Sequence, residues 1–123
     1  MSDLLVLKAL PQAIKEARDF VACVAGGYGL DDYVPRLVAS ELVTNAWRHS
    51  SKRQDIVLRA FPTGDDPVRL IIEVWDADPR PPVLCAPGDS DESGRGILLL
   101  SGVVVRWGTR PSAGGKVVFA EVV

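Results

Sequence analysis

Cysteine and histidine are nearly missing from this 123-residue chain, which has two of the first, Cys23 and Cys85, and one of the second, His49. Two thiols so far apart make no disulfide framework and read as reduced packing thiols. Together with a lone histidine they also supply no zinc-type ligand spacing. An excess of one charge is missing as well. Fourteen Lys and Arg stand against sixteen Asp and Glu, for a formal net charge of -2, and the basic residues are scattered along the chain. That pattern offers no basic stripe to nucleic acid or to an acidic lipid surface. The longest apolar run, Ile97 to Val105, is broken by Ser101 and Gly102 and reaches about half the length a bilayer needs. Asp3 and Lys8 interrupt the apolar start, and no small-residue cleavage site follows. The expectation is a soluble, cytoplasmic protein that binds neither membrane nor nucleic acid directly. Repeats, linkers and low-complexity tracts are absent too.

What is present suits one globular domain over residues 1–123. A hydrophobic fraction of 47% with 24% charged residues excludes disorder, and the length allows a single core. Leu4 to Leu10 reads as a strand, stopped by Pro11. Gln12 to Ala25 carries Ile14, Ala17, Val21 and Val24 at helical spacing, with Gly26-Gly27 as its end. Asp31 or Asp32 can cap a second helix that takes Pro35 in its first turn and runs to His49. Asp55 to Phe61 and Val68 to Trp75 form a hairpin, the second strand apolar enough for a central place. Asp76 to Ser93, about 18 residues of proline, aspartate and glycine, is one long loop of the kind more often a lid than a connection. Gly94-Arg95-Gly96 opens a short apolar helix ending near Gly102. Val103 to Trp107 and Lys116 to Val122 close the chain as a hairpin around Pro111 to Gly115. This order predicts an α+β fold: a mixed, largely antiparallel sheet with helices on one face.

The second helix carries the most telling residues. At ~100° per residue, Glu41, Asn45 and Arg48 share a narrow sector. Val34, Leu37, Val38, Ala39, Leu42, Val43 and Ala46 point in every direction around them, and a helix apolar all round is normally buried. A carboxylate buried alone costs several kcal/mol or takes up a proton, so the polar sector is expected to face a cavity holding water, a metal ion or a polar ligand. The plainer alternatives are a one-turn side-chain pair for Glu41 and Asn45, a snorkelling Arg48, and Trp75 and Trp107 as core aromatics. For the tryptophans we take the plain alternative; for Glu41 and Asn45 we take the functional one. Asp76 directly after a buried strand, then a long loop, then a glycine pair opening a helix, can form a nucleotide cradle, because N–H groups at a helix start bind phosphate oxygens. Singly these signals are weak, since Asp at a strand end is commonly a turn former.

In this order they resemble the GHKL ATPase superfamily, and above all its small anti-sigma-factor serine/threonine kinases and related actinobacterial regulatory ATP-binding proteins. Glu41-Leu42-Val43-Thr44-Asn45-Ala46-Trp47-Arg48-His49-Ser50 is similar to the family's N box, and Val74-Trp75-Asp76-Ala77-Asp78-Pro79-Arg80-Pro81-Pro82 to its adenine-binding box. Ser93-Gly94-Arg95-Gly96-Ile97-Leu98-Leu99-Leu100 is similar to its second glycine box, and Gly114-Gly115-Lys116-Val117-Val118 completes the pattern. The resemblance implies a two-layer α/β sandwich of the Bergerat type, with ATP and Mg²⁺ as cofactors and residues 76–93 as the ATP lid. Asn45 would ligate Mg²⁺ and Glu41 would polarise the attacking hydroxyl or a water. Arg48 and His49 would face the phosphates, and Asp76 would accept from the adenine amino group. Ala77, Asp78, Gly94, Arg95, Gly96, Ile97 and Lys116 complete the implied nucleotide set. Implied partners are an anti-anti-sigma (STAS-type) protein and a sigma factor, with room for a homodimer. One departure stands out: Asp78 occupies a place where the family usually has glycine, adding bulk and negative charge against the nucleotide.

Overall fold

The computed structural model describes residues 3–48, 55–77 and 104–122. Its elements are β1 (Leu4–Leu7), α1 (Ala13–Gly27), α2 (Tyr33–Arg48), β2 (Ile56–Pro62), β3 (Leu70–Asp76), β4 (Arg106–Ser112) and β5 (Gly115–Val122). The strands form one sheet in the order β1-β2-β3-β5-β4, with β3 central as its apolar run predicts. Every pairing among the described strands is antiparallel, where a mixed sheet was expected. Connectivity explains the difference. One helix would return the chain to the end where β1 began and make β2 parallel; two antiparallel helices deliver it to the other end, so β2 runs against β1.

Alternation sorts the strand residues into two faces. Leu7, Ile56, Leu58, Ala60, Leu70, Ile72, Val74, Val118, Ala120 and Val122 are buried in one cluster with Ala13, Ala17, Val21, Val24 and Ala25 of α1 and Val38, Ala39, Leu42, Val43 and Ala46 of α2. α1 lies over β1 and β2, α2 over β3 and β5, and the two helices pack on each other. This is the expected α+β sandwich with its helices on one face.

Element ends depart from the sequence expectation where glycine and proline mislead. β1 stops at Leu7, because Leu10 N–H turns back to the Lys8 carbonyl at 2.7 Å before Pro11 is reached. α1 runs through Gly26 and Gly27, and Gly29 supplies the left-handed residue (φ 71°) that ends it, with Leu30 N–H donating to the Ala25 carbonyl at 2.9 Å. In the last hairpin β4 continues through Pro111 to Ser112, leaving only Ala113 and Gly114 (φ 75°) in the turn. β4 is the sheet edge, where a residue without an N–H is tolerated. The short helix expected from Gly94 to Gly102 lies outside the described residues, as does Cys85. Cys23 is exposed on α1 and does not pack in the core.

The sheet face turned away from the helices is built differently. Arg59, Arg69, Arg106 and Arg110, scattered in sequence, converge there. Glu73 accepts from Arg59 (3.3 Å), Arg110 (2.7 Å) and the Trp75 indole (3.1 Å). Glu121 accepts from Arg69 (3.1 Å) and Arg106 (3.0 Å). Arg59 lies over Phe61, Arg106 over Phe119, and Arg110 over Trp75. Trp75 is therefore a half-buried part of this layer and not a core aromatic, whereas Trp107 packs against the core as expected.

The Arg106 hydrogen bond, opposed by burial and helped by Arg69, holds the Glu121 carboxyl below its ordinary range. A carboxyl depressed by folding contributes stability above its unfolded pKa, and that contribution is lost as pH falls through the lower folded value. Glu121→Gln should therefore cost about 1–2 kcal/mol near neutral pH. The gap between variant and wild type should close in urea titrations as the pH drops below about 4. A gap that stayed constant with pH would assign the loss to packing alone.

Candidate functional site

α2 starts where Asp31 Oδ1 accepts the Tyr33 N–H at 2.8 Å and the Asp32 carbonyl accepts the Arg36 N–H at 3.0 Å, with Pro35 buried in the first turn. Both aspartates named as capping candidates are thus used, one by its side chain and one by its backbone. The helix is not buried all round: Tyr33 and Leu37 are exposed, beside a groove they share with Arg18, Asp32, Arg36 and Ser40. The other side lies on the sheet. Glu41, next round the helix from Leu37, is half-buried, and one turn later Asn45 is buried at 5% exposure. Asn45 Oδ1 has no hydrogen-bond partner among the described residues. Leaving a buried carbonyl oxygen unpaired costs about 1–3 kcal/mol, a cost that a water, a cation or a polar ligand at this oxygen would offset.

Across from α2, Asp76 ends β3 on the same face as Leu70, Ile72 and Val74, so its carboxylate belongs to the helix-covered side. The β3–β5 register sets Lys116 opposite it. Lys116 Nζ donates to Asp76 Oδ1 at 3.2 Å and lies 3.1 Å from Oδ2, in ion-pair contact there without hydrogen-bond alignment. Both side chains are nearly enclosed, at 4% exposure for Asp76 and 11% for Lys116. The strands come unusually close beside this pair. A Cβ on Gly115 would run into the Asp76 carbonyl oxygen and stand 2.8 Å from the Ala77 Cα, so glycine is required for that approach.

The structure thus joins two of the residues singled out in sequence, Asp76 and Lys116, and sets Glu41 and Asn45 one turn apart on the helix that covers their strands. Ala77 follows Asp76 and is exposed. Arg48 closes α2, and its side chain lies outside the described residues, as do His49, Asp78, Gly94, Arg95, Gly96, Ile97 and the loop to Ser93 beyond Ala77. Sequence reasoning missed that Asp76 is bonded to a lysine. The inward alternation of Lys116, Val118, Ala120 and Val122 against Leu70, Ile72, Val74 and Asp76 was the available signal.

A buried charged pair at one end of the sheet and an orphaned amide oxygen on the helix that covers the sheet are the polar groups that the α+β sandwich takes out of water. The family model of the histidine kinase-like ATPase domain matches residues 7–121. The chain belongs to that family. No curated protein matches it. A domain of this kind implies ATP binding, typically with Mg²⁺, and Asn45 fits such a cation: its amide oxygen is a hard ligand, buried and unpartnered. One neutral oxygen is far short of the about six that Mg²⁺ takes, so nucleotide phosphates and water would supply the others.

Two outcomes follow for the bare protein. Asn45→Leu removes the orphaned acceptor at similar volume and should raise unfolding free energy by about 1–2 kcal/mol, while abolishing any added stabilisation by Mg·nucleotide. A destabilised variant would show that the amide has a structural task. Gly115→Ala should cost about 1–3 kcal/mol in denaturant unfolding by prising β5 from the end of β3. Gly114→Ala, strained only by its left-handed backbone, should cost about 1–2 kcal/mol and leave the close approach of β5 to the end of β3 intact.

Proposed function

We propose that the protein is an ATP-binding switch: a serine/threonine protein kinase that phosphorylates an anti-anti-sigma partner and sequesters a sigma factor in its other state. The observation that carries the nucleotide part is the buried, unpartnered Asn45 Oδ1 one turn from Glu41. When bound, Mg·ATP supplies an activated γ-phosphoryl group whose negative charge is spread over its oxygens. Asn45 binds and orients the metal-bound phosphates, and Asp76 with its β3 neighbours receives the base. Glu41 accepts the proton of the attacking serine or threonine hydroxyl and holds that oxygen in line. Residues of this site depend on the sandwich for position and not on one another's neighbours in sequence, so partner and nucleotide can be bound from different elements.

A second reading, a non-catalytic module that regulates by binding alone, is favoured by one observation. Lys116 holds the Asp76 carboxylate that would otherwise accept from the base without competition. Asp78 in the implied adenine box points the same way.

Labelled γ-phosphate transfer to an anti-anti-sigma partner separates the two. Glu41→Ala should keep nucleotide affinity within a few fold, because a proton acceptor acts mainly in the transition state. Transfer should fall by ~10²–10⁴. A wild-type protein that binds the partner or a sigma factor and transfers nothing, with Glu41→Ala binding equally well, would leave the module as the function.

A further inference from the structure

The sheet face turned away from the helices holds more positive charge than its own carboxylates match. Glu73 is shared by Arg59 and Arg110, and Glu121 by Arg69 and Arg106, so each buried carboxylate serves two guanidiniums and each trio keeps one positive charge. Asp3 lies 3.6 Å from Arg59, which leaves the excess toward β4. There Arg106 and Arg110 both lie over the Phe119 ring, 5.4 and 5.9 Å from its centroid. Gly108, between them on β4 and opposite Phe119, makes room for the ring, which a Cβ at that position would meet at 3.0 Å. The side chains of Arg106 and Arg110 are 61% and 45% exposed.

An arginine carries five N–H donors. Arg106 donates to Glu121 through Nε, so the Nη1 and Nη2 end of its fork has no acceptor among the described residues. Arg110 donates to Glu73 through Nη2, and its Nε and Nη1 are likewise without one. The glutamates and the ring hold both guanidiniums in place, so a ligand carboxylate would meet donors whose rotamer freedom is already lost.

The same face is apolar at its other end. Val57, Trp75, Val117 and Arg110 form one cross-strand row. At the β2 end of that row opens a cavity of about 450 Å³ lined by Asp3, Leu4, Val57, Arg59 and Trp75. Three strand spacings, about 14 Å, separate Val57 from Arg110. An extended chain covers that distance in about four residues.

We infer that this face docks a protein partner through an extended segment that sets an apolar side chain in the cavity and carboxylates on Arg106 and Arg110. Nucleic acid suits the face less well, because the rings of Phe61, Trp75 and Phe119 are half-buried beneath arginines and closed to base stacking. The inference is independent of nucleotide binding.

The probe is the labelled peptide Glu-Thr-Glu-Ser-Thr-Ser-Leu-Ser-Thr-Ser-Glu-Thr-Glu, whose symmetry makes chain direction immaterial. Its binding to the full chain is followed by fluorescence anisotropy at about 20 mM salt. The wild type should bind with a Kd below about 1 mM, and Arg106→Gln/Arg110→Gln should weaken binding by about tenfold or more. Each glutamate keeps one arginine in that variant, so the fold should stand. Arg36→Gln, which removes a like charge on the helical side, should change binding by less than about twofold. Serine in place of the peptide's leucine should weaken binding by about threefold or more. No binding by the wild type overturns the inference, as does an equal loss in Arg36→Gln, which would reduce the effect to net charge. Indifference to the leucine overturns the role of the cavity. An oligothymidylate of equal length that binds more tightly than the peptide, and is lost in the same double variant, overturns the protein partner in favour of nucleic acid. If the double variant does not fold, amide shifts of the wild type decide: changes on adding peptide at Trp75, Gly108 and Phe119 support the site, and changes confined to α1 and α2 overturn it.

Discussion

The strip where α2 lies on β3 and β5 is the constraint on which the rest of the structure depends. It must be apolar, since Val38, Leu42 and Val43 against Ile72, Val74 and Val118 form the centre of the only sizeable cluster the described residues contain. It must also carry Asn45, Asp76 and Lys116, each buried or nearly so. Those demands conflict, because polar groups taken from water without partners destabilise the fold. The conflict is resolved unequally: Asp76 and Lys116 pair across the strands, whereas the Asn45 oxygen has no hydrogen-bond partner among the described residues. A marginally stable domain keeps such a group only where something else depends on it.

The other sheet face answers the same problem by different means. No described helix covers it, and its apolar surface is screened by four arginines tied to two glutamates, three of them, Arg59, Arg106 and Arg110, laid over aromatic rings. Arginine suits this task because its planar group can stack and bond at once. One face is thus aliphatic and the other ionic and aromatic, and Asn45, Asp76 and Lys116 belong to the first.

Much of this was legible in the sequence. The helical spacing of Ile14, Ala17, Val21 and Val24, the capping by Asp31 and Asp32, the central place of β3 and the buried position of Asn45 all follow from local periodicity. What was not legible depended on where strands align. The continuation of β4 through Pro111 is decided by edge position, which one strand alone does not reveal. The gathering of Arg59, Arg69, Arg106 and Arg110 needs three pairings at once, and so linear scatter was mistaken for spatial scatter. The Asp76–Lys116 pair needs the register of two strands far apart in sequence. For Arg48, His49, Asp78 and the glycine pair at Gly94 and Gly96, the expectation stands on sequence alone.

The separation of forty residues between Asp76 and Lys116 also bears on how the protein is made. Contacts distant in sequence carry the larger chain-closure entropy and form later than local ones. A chain emerging from the ribosome can assemble both helices and β1 to β3 while its final hairpin is still being synthesised, because domains are completed as their sequence appears. Until β5 docks, Asp76 has no lysine beside it and the central strand has an open edge. Competence to engage a ligand is therefore tied to completion of the polypeptide, and a product truncated before β5 would lack both Lys116 and the core residues Val118, Ala120 and Val122 on which α2 rests.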